Sequence, residues 1–219
     1  MFETIDIKFV FAILSSTITV VAFYTYISDI FLRKTKPHAY TWLVWVITQG
    51  TAVAALWYGG GKFATISLVV GTLLVVFVFF LSLKYGTKNI TPGDTFVLIM
   101  ALSAIVVWWQ LKNPLLAVFM VSAIDGLGYI PTYRKSFVNP WTETPTLWLA
   151  MIVAGVFALL ANAEYNLLTV TYIATLIVAN TVLLTLLTVR RKTTHTTLTT
   201  GIYNENADEH KVKTPKDIG

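Results

Sequence analysis

Seven stretches of predominantly apolar residues follow one another along the chain, at 8–30, 40–58, 64–84, 95–111, 114–133, 146–163 and 167–189. Each approaches or exceeds the roughly 20 residues an α-helix needs to cross a hydrocarbon core about 30 Å thick. None alternates apolar and polar positions as barrel strands do, and an open strand in lipid would leave its backbone groups unpaired. The pattern predicts an all-α membrane protein with seven transmembrane helices, spans 1–7 below. Turn-forming residues mark the divisions: Gly59, Gly60 and Gly61 after span 2; Asn89, Pro92 and Gly93 before span 4; Asn113 and Pro114 before span 5. Arg190-Arg191-Lys192 closes span 7, and the Thr-rich segment 190–219 is expected to be a disordered tail. The residues before span 1 carry Glu3 and Asp6 against Lys8, so it reads as a first span and not as a cleaved signal.

Charge then orients the chain. Only 12% of residues are charged, against about a quarter in soluble domains, so most of the surface is unsuited to water and no separate soluble domain is expected. The net charge of +5 does not point to nucleic acid, because the basic residues lie in short clusters between apolar runs. The end that receives the N-terminus holds three of them, Lys8, Lys62 and Lys112, and the opposite end holds the other thirteen. The positive-inside rule places the richer end in the cytoplasm and the N-terminus outside, with the plasma (inner) membrane as the expected location. The absence of cysteine excludes disulfides and thiolate metal sites.

The chain also matches itself at an offset of 103 residues. Tyr26-Ile27 recurs as Tyr129-Ile130, Pro37 as Pro140, Thr41 as Thr144 and Trp45 as Trp148. The apolar matches continue into span 3, where Thr72, Leu73 and Val75 pair with Thr175, Leu176 and Val178, and Phe77 falls opposite Asn180. Span 4 has no partner. The expected organisation is a three-helix repeat at 1–84, a linker helix at 85–113, a second repeat at 114–189 and the tail. An odd number of intervening crossings makes the two repeats parallel, as in several transporter folds.

The stretch Tyr129-Ile130-Pro131-Thr132-Tyr133-Arg134-Lys135, followed by Thr144 and Trp148, is similar to a PQ motif. That motif is a Pro-Gln pair near a helix end, a basic residue, a short polar loop, and a helix start with Ser or Thr and an aromatic residue. Thr132 replaces the glutamine, and Ser28-Asp29 stands where the first repeat would carry Pro-Gln. With the three-plus-one-plus-three plan, the chain resembles the SWEET and PQ-loop superfamily, which includes PnuC-type vitamin transporters and the KDEL receptor. The resemblance implies a transporter or facilitator of a small polar solute (sugar, amino acid or vitamin-like), with two bundles moving around a midplane site. Tyr26, Trp45, Tyr129, Pro131 and Trp148 are the motif and gate candidates, and Trp45 and Trp148, related by the repeat, are candidates to line a cytoplasmic gate together. The resemblance also implies a pocket role for an asparagine on span 7. A non-transporting receptor or scaffold on the same plan is the alternative.

Polar residues deep in a span are costly and each needs a reason. Gln49, Asp125 and Asn180 each lie about eight or nine residues from the basic end of their spans, roughly 13 Å in and near the midplane. Three strong hydrogen-bonding groups at one depth suggest a shared substrate cavity; the other reading is polar adhesion between helices. Asp125 is the one acid well inside a span. It is a candidate proton or cation coupling site, a ligand for a cationic substrate, or a neutral structural acid. Gly126 and Gly128 beside it allow close helix approach. Trp108 and Trp109 on span 4 are candidates to stack on a flat ligand. Trp42, Trp45, Trp57, Trp141 and Trp148 match the headgroup belt.

No catalytic group emerges. His38, His195 and His210 lie outside the spans, and no HExxH, GxSxG or intramembrane acid pair is present. A retinal Schiff base would need a lysine in span 7, which has none before Lys192. The expectation is a protein that is not an enzyme, without cofactor or metal. Its partners would be a small-molecule substrate and the lipid bilayer, with no nucleic acid; a homo-oligomer is compatible with the pattern.

Overall fold

The computed structural model describes residues 6–87, 90–111 and 113–212, with side chains throughout except at 104, 105, 107–109, 111 and 194–212. Lys88, Lys112, Lys213 and Lys216 of the charge count, and Asn89 of the turn formers, lie outside the described residues. The described chain is helical without a β-strand. Its helices are α1 Ile7–Phe31, α2 Ala39–Tyr58, α3 Phe63–Tyr85, α4 Pro92–Leu111, α5 Pro114–Gly128, α6 Ile130–Val138, α7 Pro145–Leu160 and α8 Leu167–Val212. A 3₁₀ turn, Pro140–Thr142, precedes α7. Five units are long and apolar enough to cross a membrane: α1, α2, α3, the α5–α6 stretch Pro114–Val138, and Leu167–Thr193 of α8. α4 and α7 supply shorter apolar helices. The protein is an all-α integral membrane protein of seven spans, with α5 and α6 together forming span 5.

Local chemistry sets the helix ends. Asp6 caps α1 by accepting from the Lys8 amide (2.9 Å), and Asn113 caps α5 through the Leu116 amide (3.1 Å). Thr91 and Asp94 form a reciprocal capping box at α4: the Thr91 amide donates to Asp94 Oδ2 (2.8 Å), and the Asp94 amide donates to Thr91 Oγ1 (3.3 Å). Span 5 breaks at Tyr129, whose amide turns back to the Gly126 carbonyl (3.2 Å). Pro131, which lacks an N–H, starts the second piece. α8 runs on from span 7 to Val212, and residues 213–219 of the expected tail lie outside the described residues. Neither glycine nor proline lies between Leu167 and Thr200 to stop it, and threonines along it return their hydroxyls to carbonyls four residues back, as Thr193 does to Val189 (3.0 Å).

The packing follows the repeat. In the first bundle α3 contacts both α1 and α2, and in the second α8 contacts both α5 and α7. Between bundles α1 lies along α7 and α2 along α5, two contacts that exchange with each other under the repeat. α4, the unpaired helix, packs on α5 and α2. Gly128 marks the α2–α5 crossing: a Cβ there would sit 3.2 Å from Val44 Cγ1 and 3.3 Å from Trp45 Nε1. Gly126, by contrast, faces open space.

One part of the predicted repeat does not hold. Val75 is 3% exposed while its expected partner Val178 is 63% exposed; Phe77 is 47% exposed while Asn180 is 3% exposed. The buried positions Ala64, Ser67, Val75, Val78 and Ser82 of α3 correspond instead to Thr169, Tyr172, Asn180, Leu183 and Leu187 of α8, an offset of 105. The cause is loop length. The connection from α2 to α3 spans residues 59–62 and that from α7 to α8 spans 161–166, so two added residues carry the last helix forward. The structural counterpart of Asn180 is Val75.

Candidate binding site at the bundle interface

At the basic end the two bundles meet through aromatic rings. Tyr26 of α1 packs against Trp148 of α7 with ring centroids 6.4 Å apart, and its image, Tyr129 of the second bundle against Trp45 of α2, is at 4.6 Å. Trp45 and Trp148 touch each other at 6.1 Å, so the pseudo-two-fold axis passes between them. Trp42 joins this cluster at 5.1 Å from Trp45. These tryptophans belong to the core and not to the headgroup belt expected for them. The spacing of 42, 45 and 49 turns one face of α2 inward, whereas Trp57 and Trp141 are exposed.

Polar ties lie beyond the rings. Thr144 Oγ1 donates to Asp29 Oδ2 (2.8 Å), and the image pair, Thr132 Oγ1 to Thr41 Oγ1, is at 3.5 Å. Asp29 and Thr132 occupy the motif position of the replaced glutamine, and Thr41 and Thr144 the Ser/Thr position of the helix start that follows. Lys135 pairs with Glu143 and also donates to the Lys36 carbonyl (2.6 Å), while Arg191 donates to the Glu143 carbonyl (2.6 Å). The α1–α2 and α6–α7 connections are thereby joined across the bundles.

Away from this closure the interface opens into a cavity of about 60 Å³ between α1, α2, α3, α7 and α8. A smaller chamber of about 30 Å³ continues it down to Trp42, Trp45, Tyr129 and Trp148. Gln49 and Asn180 line both chambers, together with Phe23, Val75, Met151 and Leu176. Toward the opposite end the walls are small and polar: Ser15 Oγ donates to the Ala154 carbonyl (2.8 Å) and Ser67 Oγ to the Ala12 carbonyl (3.0 Å). A volume of 60 Å³ holds a few water molecules and is smaller than the roughly 300 Å³ or more of typical ligand pockets.

The amide carbonyls of the two central residues are already engaged. Gln49 Oε1 accepts from Thr72 Oγ1 (3.5 Å), and Asn180 Oδ1 accepts from the Tyr129 hydroxyl (3.0 Å). Neither amide nitrogen donates to a protein group among the described residues. One N–H₂ group from each bundle is therefore available to an acceptor in the cavity.

Asp125 lies behind this wall and does not line either chamber. It is fully buried, with Oδ1 accepting from the Thr48 hydroxyl and from the Tyr172 hydroxyl (3.0 Å). Oδ2 has no hydrogen-bond partner among the described residues. Of the three midplane residues, the structure brings Gln49 and Asn180 together at the cavity and sets Asp125 one residue layer away. The side chains of Trp108 and Trp109 lie outside the described residues; no described α4 side chain reaches the two chambers.

Sequence reasoning did not single out Thr48, Tyr172, Phe23 or the pair Ser15 and Thr19. A signal existed for the last, because hydroxyls four residues apart on an apolar helix share a face. No group of three His, Cys, Asp or Glu side chains converges among the described residues. No protein-family model, curated protein or solved structure matches the chain.

Proposed function

We propose that this protein is a transporter or facilitator of a small polar solute, working by alternating access between two three-helix bundles. One observation carries the reading: Gln49 of the first bundle and Asn180 of the second each present an unengaged amide nitrogen to one cavity on the interface. A solute accepting from both would bridge the elements that must move. The cavity is too small for a metabolite in this conformation, so entry requires the bundles to part. The asymmetry of closure supports the direction of that opening. Paired rings and polar ties seal the basic end, and small hydroxyl-bearing walls lead the other way. The charge bias makes the basic end cytoplasmic, with the N-terminus outside, and the plan resembles SWEET and PQ-loop transporters. In this reading Tyr26, Trp45, Tyr129 and Trp148 form the inner gate. A receptor that binds without passage is the second reading, favoured by the number of ties across the basic end.

The test is thermal stabilisation of the purified protein by sugars, amino acids and nucleoside-like vitamins. A ligand at 100 times its Kd stabilises by about 2.7 kcal/mol. The expected result is a hit whose shift falls by about half, the mark of a tenfold weaker Kd, in both Gln49→Ala and Asn180→Ala, each read against its own unliganded melting. A hit untouched by either substitution overturns the site. A hit with no uptake into proteoliposomes favours the receptor.

A further inference from the structure

The carboxyl of Asp125 is placed to do more than hold helices together. α2, α5 and residues 167–189 of α8 contain no Lys, Arg, His or Glu, and no other Asp. The acid thus sits among three helices with no opposing charge. Thr48 and Tyr172 both donate to Oδ1, which leaves Oδ2 buried and without a partner among the described residues, and the same holds for the Ser122 hydroxyl one turn earlier on α5. Two structural hydrogen bonds to one oxygen would suffice to glue the helices. They do not account for the second oxygen.

The surroundings tie this group to the cavity from two sides. Thr48 is adjacent to Gln49 on α2. Tyr129, one turn beyond Asp125, donates to Asn180. Asp125 therefore bonds the residue beside one cavity amide and lies one turn from the tyrosine that bonds the other, one in each bundle. The titratable groups facing it are Tyr172 from α8 and Tyr129 and Tyr133 from its own span; α2 contributes none. α4 carries only Asp94, which is held at the basic end by Arg134 (3.6 Å) and His38 (3.9 Å).

We infer that Asp125 takes up and releases one proton at Oδ2, and that this exchange couples the α2–α5–α8 contact, and with it the cavity, to pH. The proton comes from a hydronium ion in water admitted between α2 and α5 as the bundles part: its O–H bond breaks, a water molecule is released, and an O–H bond forms on Oδ2. With the acid neutral, the three helices close around it. When the proton returns to water, the carboxylate is left without a counter-charge in an apolar setting, which favours the parted arrangement. The physiological use of the exchange rests on the transporter reading; the titration itself needs no substrate.

The experiment uses the full chain in lipid nanodiscs, followed by infrared difference spectroscopy and tryptophan fluorescence between about pH 5 and pH 9, the range of buried carboxyls. The expected result is loss of a protonated-carboxyl stretch as pH rises, absent in Asp125→Asn. A fluorescence transition should accompany it, because Trp45 rests on Tyr129, and that transition should also be absent in Asp125→Asn. Should that variant fail to fold, Thr48→Val keeps the acid but removes a donor from Oδ1, and must shift both transitions together. A carboxyl band that persists across the range, or a fluorescence transition retained in Asp125→Asn, overturns the proposal. So does a transition that follows replacement of sodium by choline at constant pH, which would assign the site to a metal cation. A silent substrate panel with an intact titration removes the transport reading alone, and a substrate hit with a pH-silent Asp125 removes the coupling alone.

Discussion

The two three-helix bundles share a frame but not a chemistry. At the basic end the residues on the axis have working images: Tyr26 with Tyr129, Trp45 with Trp148, and Asp29–Thr144 with Thr132–Thr41. At the midplane the images diverge. The second bundle places Asp125, Tyr172 and Asn180 where the first has Ala22, Ser67 and Val75. The difference shows where a repeated fold is constrained. Rings on the axis must fit their own copies, so a change on one side disturbs both. A cavity wall touches solute and solvent instead, and each half can specialise.

The strongest way to break this comparison is at the axis. Trp45→Ala and Trp148→Ala each remove a buried ring from the shared cluster and are expected to cost about 3–5 kcal/mol. Chemical denaturation in detergent should give similar losses for the two. A loss confined to one would mean that the symmetry is only geometric.

The midplane should behave oppositely. Asp125→Ala leaves the Tyr172 hydroxyl buried without its acceptor, while Thr48 falls back on the Val44 carbonyl (3.1 Å), for a cost of about 1–3 kcal/mol. Ala22→Ser at its image position is expected to be milder, since a serine on a helix can return its hydroxyl to a carbonyl one turn back. Equal destabilisation by the two would contradict the asymmetry.

At the cavity, Asn180→Val should weaken a ligand found in the stabilisation screen by about tenfold, the value of one neutral hydrogen bond near 1.4 kcal/mol. Val75→Asn in the same background tests the 105-residue register: it should restore part of that affinity, while Phe77→Asn should not. Rescue by Phe77→Asn would return the register to 103. The smallest effect belongs to the exposed Trp57, where Trp57→Ala should change stability by about 0.5 kcal/mol or less.

Legibility differed along the chain for definite reasons. The bounds of α1, α2 and α3 agree with the apolar runs to within a residue or two, because entry into a bilayer is decided by each segment's own transfer energy. The repeat was readable in its first two helices through Tyr-Ile, Pro, Thr and Trp, residues uncommon enough to align. It was misread in the third, where Leu, Val and Thr match at many offsets and a loop two residues longer leaves no mark in composition. Trp42, Trp45 and Trp148 looked like belt residues, since depth along a span says nothing about which way a side chain faces. Gln49, Asp125 and Asn180 were found by depth for the same reason that they could not be sorted by it.

The amino-acid sequence by itself determined that this chain enters a membrane as seven helices, that its basic loops share one end, and that three strong polar groups lie near the midplane. Those are properties of single segments and of their order. Only the tertiary structure decided that Asn180 answers to Val75, that Trp45 and Trp148 meet on an axis, and that Asp125 stands behind the cavity wall with one oxygen unpaired. Each of these depends on the rotation and vertical register of one helix against its neighbours. That register is chosen by the sum of many weak contacts and by loop lengths, which no single segment encodes.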